Sequence, residues 1–256
     1  MDRLTGKVVI VTGGASGLGK SSATLMVHEG ARVVITDINV QAGEALAAEL
    51  GPNAHFIVQD VSKESEWIEL IAATEKKFGR LDVLVNNAGV VELADVEHTT
   101  EKQWRFVHSV GTDGTFYGCK HAIAAMRRAG GGSIINLSSL AGIQGYPEIF
   151  AYSASKGAIS AMSRSVAVYC AQKKLSIRCN SIHPGIIRTP LVEAFEQSMR
   201  EASGGEELPF AKASQGRPDD VAWMVVYLAS DESKHVSGTE MVIDNTACVT
   251  EGFVPA

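Results

Sequence analysis

A tyrosine and a lysine four residues apart form a pair that suits proton transfer. If the stretch YSASK at residues 152–156 is helical, Tyr152 and Lys156 share one face of the helix. A free tyrosine has a pKa of about 10, and a neighbouring ammonium group lowers that pKa by favouring the phenolate. The hydroxyl can then exchange a proton with an alcohol or carbonyl oxygen. Pairs at this spacing also occur on solvated helix faces, and that alternative stays open for the pair alone.

Ser139 lies thirteen residues before Tyr152 and completes the candidate catalytic group. Its hydroxyl can hydrogen-bond the same substrate oxygen that exchanges a proton with the tyrosine. The predicted catalytic residues are therefore Ser139, Tyr152 and Lys156. The four cysteines and seven histidines show no spacing typical of metal ligands, so we predict no catalytic metal.

A glycine-rich turn near the N-terminus predicts a dinucleotide site. Residues 8–11 form a predicted buried strand, residues 12–19 spell TGGASGLG, and residues 20–29 have a helical pattern. This order places backbone N–H groups and a helix N-terminus where a pyrophosphate binds. A glycine turn alone is often an ordinary loop, but the flanking strand and helix favour cofactor binding. The predicted contacts are Gly13, Ser16, Gly17, Leu18 and Gly19.

Asp37 predicts which cofactor is used. It follows a second predicted strand, residues 32–36, about 20 residues beyond the glycines, where a carboxylate binds a ribose diol and repels a 2′-phosphate. Ser16 and Ile38 are uncharged at positions where an arginine or lysine would bind that phosphate. We therefore expect NAD(H). The alternative role for Asp37 is to cap the helix predicted to begin near Val40.

Predicted strands and helices alternate along the whole chain. The predicted strands are residues 8–11, 32–36, 55–58, 81–85, 133–137, 176–182 and 240–243. The predicted helices are residues 20–29, 40–50, 64–78, 101–129, 151–170 and 218–229. This alternation indicates an α/β fold, with a doubly wound, mostly parallel seven-stranded sheet of the Rossmann type flanked by helices. We expect a single domain, residues 1–256, that binds its ligands beyond the carboxyl ends of the strands.

Composition and charge exclude several classes of protein. A net charge of -6 and a pI near 5.7 argue against binding to nucleic acid or to an anionic membrane. No apolar run is long enough to span a bilayer, and the N-terminal apolar run is too short for a signal peptide. The cysteine spacing is typical of free thiols in a reducing cytoplasm. We expect a cytoplasmic protein whose partner is a small molecule.

Six marks in order along the chain resemble the short-chain dehydrogenase/reductase family over essentially its full length. They are TGGASGLG at residues 12–19, DV at 60–61, NNAG at 86–89, Ser139, the Tyr152–Lys156 pair, and HPGIIRT at 183–189. The sequence DNT at residues 244–246 replaces the family's common Asp-Gly-Gly and resembles bacterial hydroxysteroid dehydrogenases of the 3β/17β type.

The resemblance implies a role for each matching residue. Tyr152 would be the general acid/base, Ser139 would bind the reacting oxygen, and Lys156 would lower the tyrosine pKa and hydrogen-bond the nicotinamide ribose. The cofactor contacts also implied are Asp60 and Val61 at the adenine, Asn87 and Gly89 at the adjoining ribose, Ile187 and Thr189 at the carboxamide end, and Pro184 in the same motif. The chemistry is then hydride transfer to or from a nicotinamide, coupled to proton transfer at Tyr152.

One expected residue is missing. The family usually carries an asparagine in its fourth helix that helps to fix a water in the proton relay behind the lysine. Gly111 occupies that position here, in the stretch VGTDG. We expect a neighbouring group such as Ser109, or solvent, to replace the asparagine.

The residues expected around the nicotinamide are mostly apolar, which favours a bulky hydrophobic alcohol or ketone as substrate. The predicted substrate-pocket residues are Val91, Leu140, Ile143, Tyr146, Phe150 and Ile186. Residues 190–216 would form a mobile substrate lid, as this region does in the family, or alternatively a surface helical hairpin. The family also implies a homodimer or homotetramer paired through the fourth and fifth helices.

Three functions compete at this point. The leading interpretation is an NAD-dependent secondary-alcohol or hydroxysteroid dehydrogenase. A ketoacyl-type reductase is an alternative, because Arg127 and Arg128 could meet an acidic carrier protein, although Asp37 argues against NADPH. A cofactor-sensing binding protein with weak turnover is a third, supported by Gly111 alone.

Overall fold

The protein folds around one parallel sheet. The computed structural model describes residues 2–202 and 215–249. The strands are β1 (Val8–Thr12), β2 (Arg32–Asp37), β3 (Ala54–Val58), β4 (Val83–Asn86), β5 (Gly132–Leu137), β6 (Ile177–Pro184) and β7 (Glu240–Ile243). Within the described ranges these seven strands lie in the order β3-β2-β1-β4-β5-β6-β7, and each pair of neighbours is parallel. The predicted α/β fold class is confirmed.

Helices connect the strands and cover both faces of the sheet. They are α1 (Gly17–His28), α2 (Val40–Leu50), α3 (Glu64–Phe78), α4 (Glu101–His108), α5 (Gly114–Ala129), α6 (Phe150–Gln172), α7 (Pro190–Ala202) and α8 (Pro218–Ala229). Short 3₁₀ turns lie at Gly51–Asn53, Leu140–Gly142 and Asp231–Ser233. The order of strands reverses between β1 and β4, which is where a parallel sheet of this kind leaves a crevice for a ligand.

The central strands are apolar on both faces, because helices exclude water from each side. All five residues of β1 are buried. Val9 and Val11 pack into one core with α1 and α8, whereas Ile10 points the other way, into a core with α3 and α5. This packing fixes the register of the strands, so the position of every strand end is also fixed.

The helix predicted over residues 101–129 is interrupted, which corrects one expectation. Ser109–Asp113 forms a single π-helical turn between α4 and α5. A π-turn inserts one extra residue in the helix and often occurs at functional sites. The turn packs against α6, where a Cβ at Gly111 would lie 2.4 Å from the Ser155 Oγ and the Thr112 hydroxyl hydrogen-bonds the same atom at 3.0 Å, so contacts between elements favour this irregular turn.

The predicted lid is described only in part. Helix α7 forms its first half, whereas the glycine-containing stretch at residues 203–205 lies outside the described residues. Ile187 and Gly216 form an isolated parallel bridge that joins the two ends of the segment. In the part of the chain that the structure describes, no helix is both long and apolar enough to cross a membrane.

Candidate active site

A cavity of about 550 Å³ opens at the carboxyl ends of the strands. The candidate catalytic residues Ser139, Tyr152 and Lys156 all line it. So do the predicted cofactor contacts except Gly19, namely Gly13, Ser16, Gly17, Leu18, Asp37, Asp60, Val61, Asn87, Gly89, Pro184, Ile187 and Thr189. Residues distant in sequence meet here because parallel strands end at one edge of the sheet.

The glycine turn after β1 is shaped by close backbone approaches. Gly13 has a positive φ of 59°, and a Cβ there would lie 2.9 Å from the Cα of Ala88. Gly19 lies outside the cavity, but a Cβ on it would lie 2.2 Å from the carbonyl oxygen of Gly13. Gly19 therefore allows α1 to pack closely against the turn, and its predicted contact with the cofactor stays a prediction.

The first turn of α1 is suited to bind an anion. Within the described residues, the side chain of the N-cap Ser16 accepts no N–H of this helix, and its first turn carries no acidic residue. Ser16, Gly17 and Leu18 line the cavity, so the N-terminus of the helix, with its unpaired N–H groups and the positive end of its dipole, lies at the cavity wall. This is the donor set that a pyrophosphate requires, so the residues present fit a dinucleotide.

Asp37 is held rigidly at one end of the cavity. Its Oδ2 accepts the Ala15 N–H at 3.1 Å and its Oδ1 accepts the Asn39 N–H at 2.9 Å. Asn39, not Asp37, caps α2 by accepting the Ala42 N–H at 3.1 Å. The alternative role for Asp37 as a helix cap is therefore wrong, and its carboxylate lies at the ligand side of the turn.

Asn87 ties the end of β4 to the glycine turn. Its Nδ2 donates to the carbonyl oxygens of Thr12 at 2.9 Å and Gly13 at 3.0 Å. The Thr12 hydroxyl accepts the N–H groups of Asn87 at 3.0 Å and Ala88 at 3.1 Å. These four bonds hold the two strand ends that flank the crevice at a fixed separation.

Ser139 and Tyr152 lie together at the other end of the cavity. The Ser139 hydroxyl accepts the Ala141 N–H at 3.1 Å and interacts with the tyrosine hydroxyl. Burial raises the pKa of Tyr152 to about 12, and the Ser139 bond opposes part of that rise. The expected lowering of the tyrosine pKa does not dominate, so Tyr152 carries its proton at neutral pH.

Lys156 is buried on the same face of α6 as Tyr152. Its Nζ donates to the carbonyl oxygen of Leu137 at 2.6 Å and lies 5.3 Å from the centroid of the Tyr152 ring. Burial lowers the pKa of Lys156 to about 8. The alternative of a solvated helix face is wrong, because Lys156 is only 4% exposed.

Comparison with known proteins agrees with this geometry. A family model described as enoyl-(acyl carrier protein) reductase matches residues 13–245. The chain is 45% identical to the NADP-dependent (R)-specific alcohol dehydrogenase of Lentilactobacillus kefiri, over 95% of this chain and 97% of that relative. It is 40% identical to the 3-beta-hydroxysteroid dehydrogenase of Comamonas testosteroni, over 96% and 97%. It is 38% identical to the cyclopentanol dehydrogenase of Comamonas sp. (strain NCIMB 9872), over 95% and 98%. The chain belongs to the short-chain dehydrogenase/reductase family.

The departure from the family at Gly111 has a structural counterpart in α6. A Cβ at Gly111 would lie 2.4 Å from the Ser155 Oγ. That hydroxyl hydrogen-bonds the Thr112 hydroxyl at 3.0 Å, and Thr112 contacts His108 Nδ1 at 2.9 Å. The Ser109 hydroxyl instead donates to the carbonyl oxygen of Phe106 at 2.9 Å. The structure thus ties the π-turn to α6 through Thr112 and Ser155, not through Ser109.

The predicted substrate-pocket residues do not line the cavity. None of the six predicted substrate residues is among the described residues lining it, and Ile143 and Phe150 are 45% and 37% exposed. Leu140 is only 3% exposed and belongs to the 3₁₀ turn after Ser139. The Val91 and Phe150 segments are joined through an isolated bridge between Ala94 and Ile149.

Sequence reasoning missed several residues that line the cavity. Most of them are immediate chain neighbours of the motif residues, and the others come from α4, the π-turn and α7. They are Gln59, Ser62, Ala88, Phe106, Val110, Leu137, Ser138, Pro190, Leu191 and Val192. Leu191 and Val192 belong to the apolar start of α7, which was assigned to the lid, so their pattern gave a usable signal.

Proposed function

We propose that this protein is an NAD(H)-dependent oxidoreductase that interconverts a bulky hydrophobic secondary alcohol and its ketone. The observation that carries the proposal is one cavity with Asp37 at one end and Ser139, Tyr152 and Lys156 at the other. These ends are three strand spacings apart, from β2 to β5, or roughly 14 Å. That span suits a dinucleotide bound across the crevice.

The residues of the chain have separate roles in this reaction. A bound nicotinamide supplies or accepts the hydride. Ser139 hydrogen-bonds the reacting oxygen, and Tyr152 donates a proton to it in reduction or accepts one in oxidation. Burial raises the pKa of Tyr152 to about 12, so its hydroxyl carries a proton at neutral pH that it can donate in reduction. Lys156 places its ammonium near the ring and stabilises the phenolate that oxidation requires.

The charges around the cavity support NAD(H) over NADP(H). Of the described residues that line it, Lys156 is the sole cation, whereas Asp37 and Asp60 are anions. A 2′-phosphate beside Asp37 would face a fixed carboxylate without a nearby lining cation to neutralise it. The relative from Lentilactobacillus kefiri is named as NADP-dependent, so cofactor preference is a sharp test of this proposal.

The substrate class is proposed from apolar residues and from named relatives. The residues that we propose for the substrate side are apolar in type, which favours hydrophobic rings, although none of them lines the cavity that contains Ser139: Val91, Leu140, Ile143, Phe150 and Ile186. The relatives from Comamonas are named for a 3-beta-hydroxysteroid and for cyclopentanol. We include residues 190–216 as a lid of the single domain, residues 1–256, because the start of α7 lines the cavity.

The position of the two arginines weakens the ketoacyl-reductase alternative. Arg127 and Arg128 lie in the last turn of α5, whose 16 residues span roughly 24 Å. That turn leads into the start of β5, so it lies at the amino ends of the strands, whereas the cavity lies at their carboxyl ends. Arg128 also forms hydrogen bonds at 3.0 Å and 2.7 Å with Glu75. A carrier protein bound there would present its acyl group far from Tyr152.

We further propose a homodimer or homotetramer. Large apolar side chains are exposed on neighbouring helices α4, α5 and α6, which the family pairs across dyads. They are Trp104 at 37%, Phe116 at 48%, Val168 at 56% and Tyr169 at 43% exposure. Light scattering of the wild type and of Phe116→Glu tests this, with a smaller assembly expected for the variant.

The function is tested by initial rates with NAD⁺ and, separately, NADP⁺ on steroid, alicyclic and aryl secondary alcohols. We expect NAD⁺-dependent oxidation of cyclic alcohols, and a loss of about 100- to 10,000-fold in kcat for Tyr152→Phe. Ketone reduction with NADH measured at pH 7 provides the reverse reaction. Tight NADH binding with no turnover in either direction would support the cofactor-sensing alternative, and activity with NADP⁺ alone would overturn the role of Asp37.

A further inference from the structure

A buried histidine lies directly behind the candidate catalytic serine. His183 is on β6 and is 0% exposed. Its Nδ1 lies 3.1 Å from the backbone carbonyl oxygen of Ser139. Its Nε2 lies 3.0 Å from the Ser181 Oγ and 3.8 Å from a carboxylate oxygen of Glu240. Both ring nitrogens therefore have partners in the interior of the protein.

The partners of His183 determine its tautomer. A carbonyl oxygen only accepts hydrogen bonds, so Nδ1 must carry the proton that is donated to Ser139. In the neutral ring Nε2 is then an acceptor, and the Ser181 hydroxyl donates to it. Burial, together with the charges of Lys156 and Arg164 on α6, lowers the pKa of His183. The bond to the Ser139 carbonyl and then the carboxylate of Glu240 on β7 oppose this lowering, and Glu240 is itself paired with Arg164.

His183 lies where the backbone hydrogen bonds between β5 and β6 end. The last pair in the ladder between β5 and β6 is Leu137 with Ile182, followed by the Ser138 N–H donating to the Ile182 carbonyl at 2.8 Å. The next residue but one on β6 is Pro184, which has no N–H and cannot continue the ladder. The His183 side chain supplies the next donor across this gap, to the carbonyl of Ser139.

The same carbonyl begins the turn that carries the serine. The Ser139 carbonyl also accepts the Gly142 N–H at 3.0 Å, and the Ser139 hydroxyl accepts the Ala141 N–H at 3.1 Å. Moving this carbonyl would move the whole 3₁₀ turn, Leu140–Gly142, and with it the hydroxyl that contacts Tyr152. A displacement of about 1 Å in a catalytic group can reduce a rate about 100-fold.

We propose that His183 is a positioning residue whose Nδ1–H, donated to the Ser139 carbonyl, sets the Ser139 hydroxyl against Tyr152. This inference rests on the proposed function, in which Ser139 binds the reacting oxygen. His183 contacts neither substrate nor cofactor in this role. Its effect is therefore on kcat, with the binding of the cofactor left unchanged.

Three substitutions of His183 distinguish the role of its Nδ1–H donor from that of the imidazole ring as a whole. His183→Asn places an amide N–H close to the position of Nδ1, His183→Gln places one close to Nε2, and His183→Leu places none. We expect kcat to fall about 100-fold in His183→Leu and His183→Gln, with NADH affinity unchanged within about twofold. His183→Asn should recover most of the lost kcat. Equal losses in the asparagine and leucine variants, or no loss in the leucine variant, would overturn the proposal.

A double-mutant cycle excludes a general loss of stability. In a Ser139→Ala background, His183→Leu should have little further effect on kcat, because the hydroxyl that it positions is already absent. A further loss as large as in the wild-type background would show that His183 acts elsewhere and would overturn the proposal. Melting temperatures of all variants identify any that do not fold.

A spectroscopic measurement tests the tautomer without turnover. ¹⁵N NMR of the imidazole, assigned by comparison with His183→Asn, should show a neutral ring protonated on Nδ1 at pH 7. A ring protonated on Nε2 alone, or a doubly protonated ring at pH 7, would contradict the inference. If the wild type turns over no alcohol with either cofactor, the proposed function fails while this measurement still decides the contact with Ser139.

Discussion

The two halves of the proposed active site are built in different ways. The proposed cofactor half, exemplified by Gly13, Asp37 and Asn87, consists of strand ends and the turn that they hold by hydrogen bonds of 2.9 to 3.1 Å. The substrate half, exemplified by Ile143 and Phe150, consists of a 3₁₀ turn, loops and the start of α6, and both side chains are substantially exposed. The comparison shows that the proposed cofactor contacts lie on strand ends held by hydrogen bonds, whereas the proposed substrate residues lie on irregular segments.

The difference has a physical origin. Strand ends inherit their position from two buried cores, which tolerate little displacement. Loops have fewer buried contacts and adapt more readily to different ligands. Substitutions in the cofactor half should therefore affect folding and cofactor binding, whereas those in the substrate half should mainly change substrate preference.

The largest effect is expected for Gly19→Ala in the cofactor half. The new Cβ would lie 2.2 Å from the Gly13 carbonyl oxygen, and a backbone atom cannot move away as a side chain does. We expect a loss of about 3 kcal/mol in the free energy of unfolding, together with weaker NADH binding. Urea denaturation measures the first and fluorescence titration the second. Gly145→Ala is the control, because no atom lies within 4 Å of its Cβ position. Equal stability of the two variants would break the comparison.

The burial of Lys156 should lower the free energy of unfolding at pH values where its side chain is charged. Folding lowers its pKa from 10.5 to about 8, so between these pH values the unfolded chain binds more protons than the native chain. The free energy of unfolding should therefore rise with pH across this window, by up to about 3 kcal/mol. Above pH 10.0 the raised pKa of Tyr152 acts in the opposite direction. Urea denaturation at several pH values should show this rise in the wild type but not in Lys156→Met; parallel curves would contradict the prediction.

Asp37→Ser probes the charge of the cofactor half. Removing the carboxylate should raise kcat/KM with NADP⁺ about tenfold, equivalent to about 1.4 kcal/mol. The matched control is Asp60→Asn, which also changes a carboxylate in the cavity but leaves the proposed ribose site intact. A similar gain with NADP⁺ in both variants would indicate that the net charge of the cavity, and not a local contact of Asp37 with the 2′-phosphate, determines the preference.

Gly111→Ala sharpens the comparison at the π-turn. Its Cβ would lie 2.4 Å from the Ser155 Oγ, which is a side-chain atom and can rotate away, so we expect a loss of about 1–2 kcal/mol in stability. In a Ser155→Ala background the loss should be smaller, because the clashing hydroxyl is absent. Thermal and urea denaturation of the four proteins measures the coupling. Strictly additive losses would show that Gly111 is needed for backbone reasons alone.

The smallest effect is expected for Tyr146→Phe in the substrate half. The Tyr146 hydroxyl donates to the Gln144 Oε1 at 3.1 Å, and the side chain is half-buried. Its loss should change stability by less than about 1 kcal/mol. KM for the alcohol should change several-fold, with KM for NAD⁺ unaffected. A change in the cofactor KM that matches the change in the alcohol KM would break the division into halves.

Several features of this protein could be predicted from residue types and spacing alone. Alternating apolar strands and amphipathic helices indicated the parallel sheet, and glycines at fixed offsets indicated the turn around Gly13. The Tyr152–Lys156 pair and Ser139 were placed in one cavity together with Asp37, because parallel strands bring the residues after each strand to one edge. These predictions depend on local periodicity and on the order of strands and helices, both of which can be obtained from the sequence.

Other features were decided only by tertiary packing. The π-turn at Ser109–Asp113, the contact of Gly111 with Ser155, and the bond from His183 to Ser139 join segments far apart in the chain. The pKa of Tyr152 rose instead of falling because the surroundings that bury it come from several elements at once. Residue spacing specifies neighbours along one element, whereas desolvation and contacts between elements depend on distances that exist only after the chain has folded.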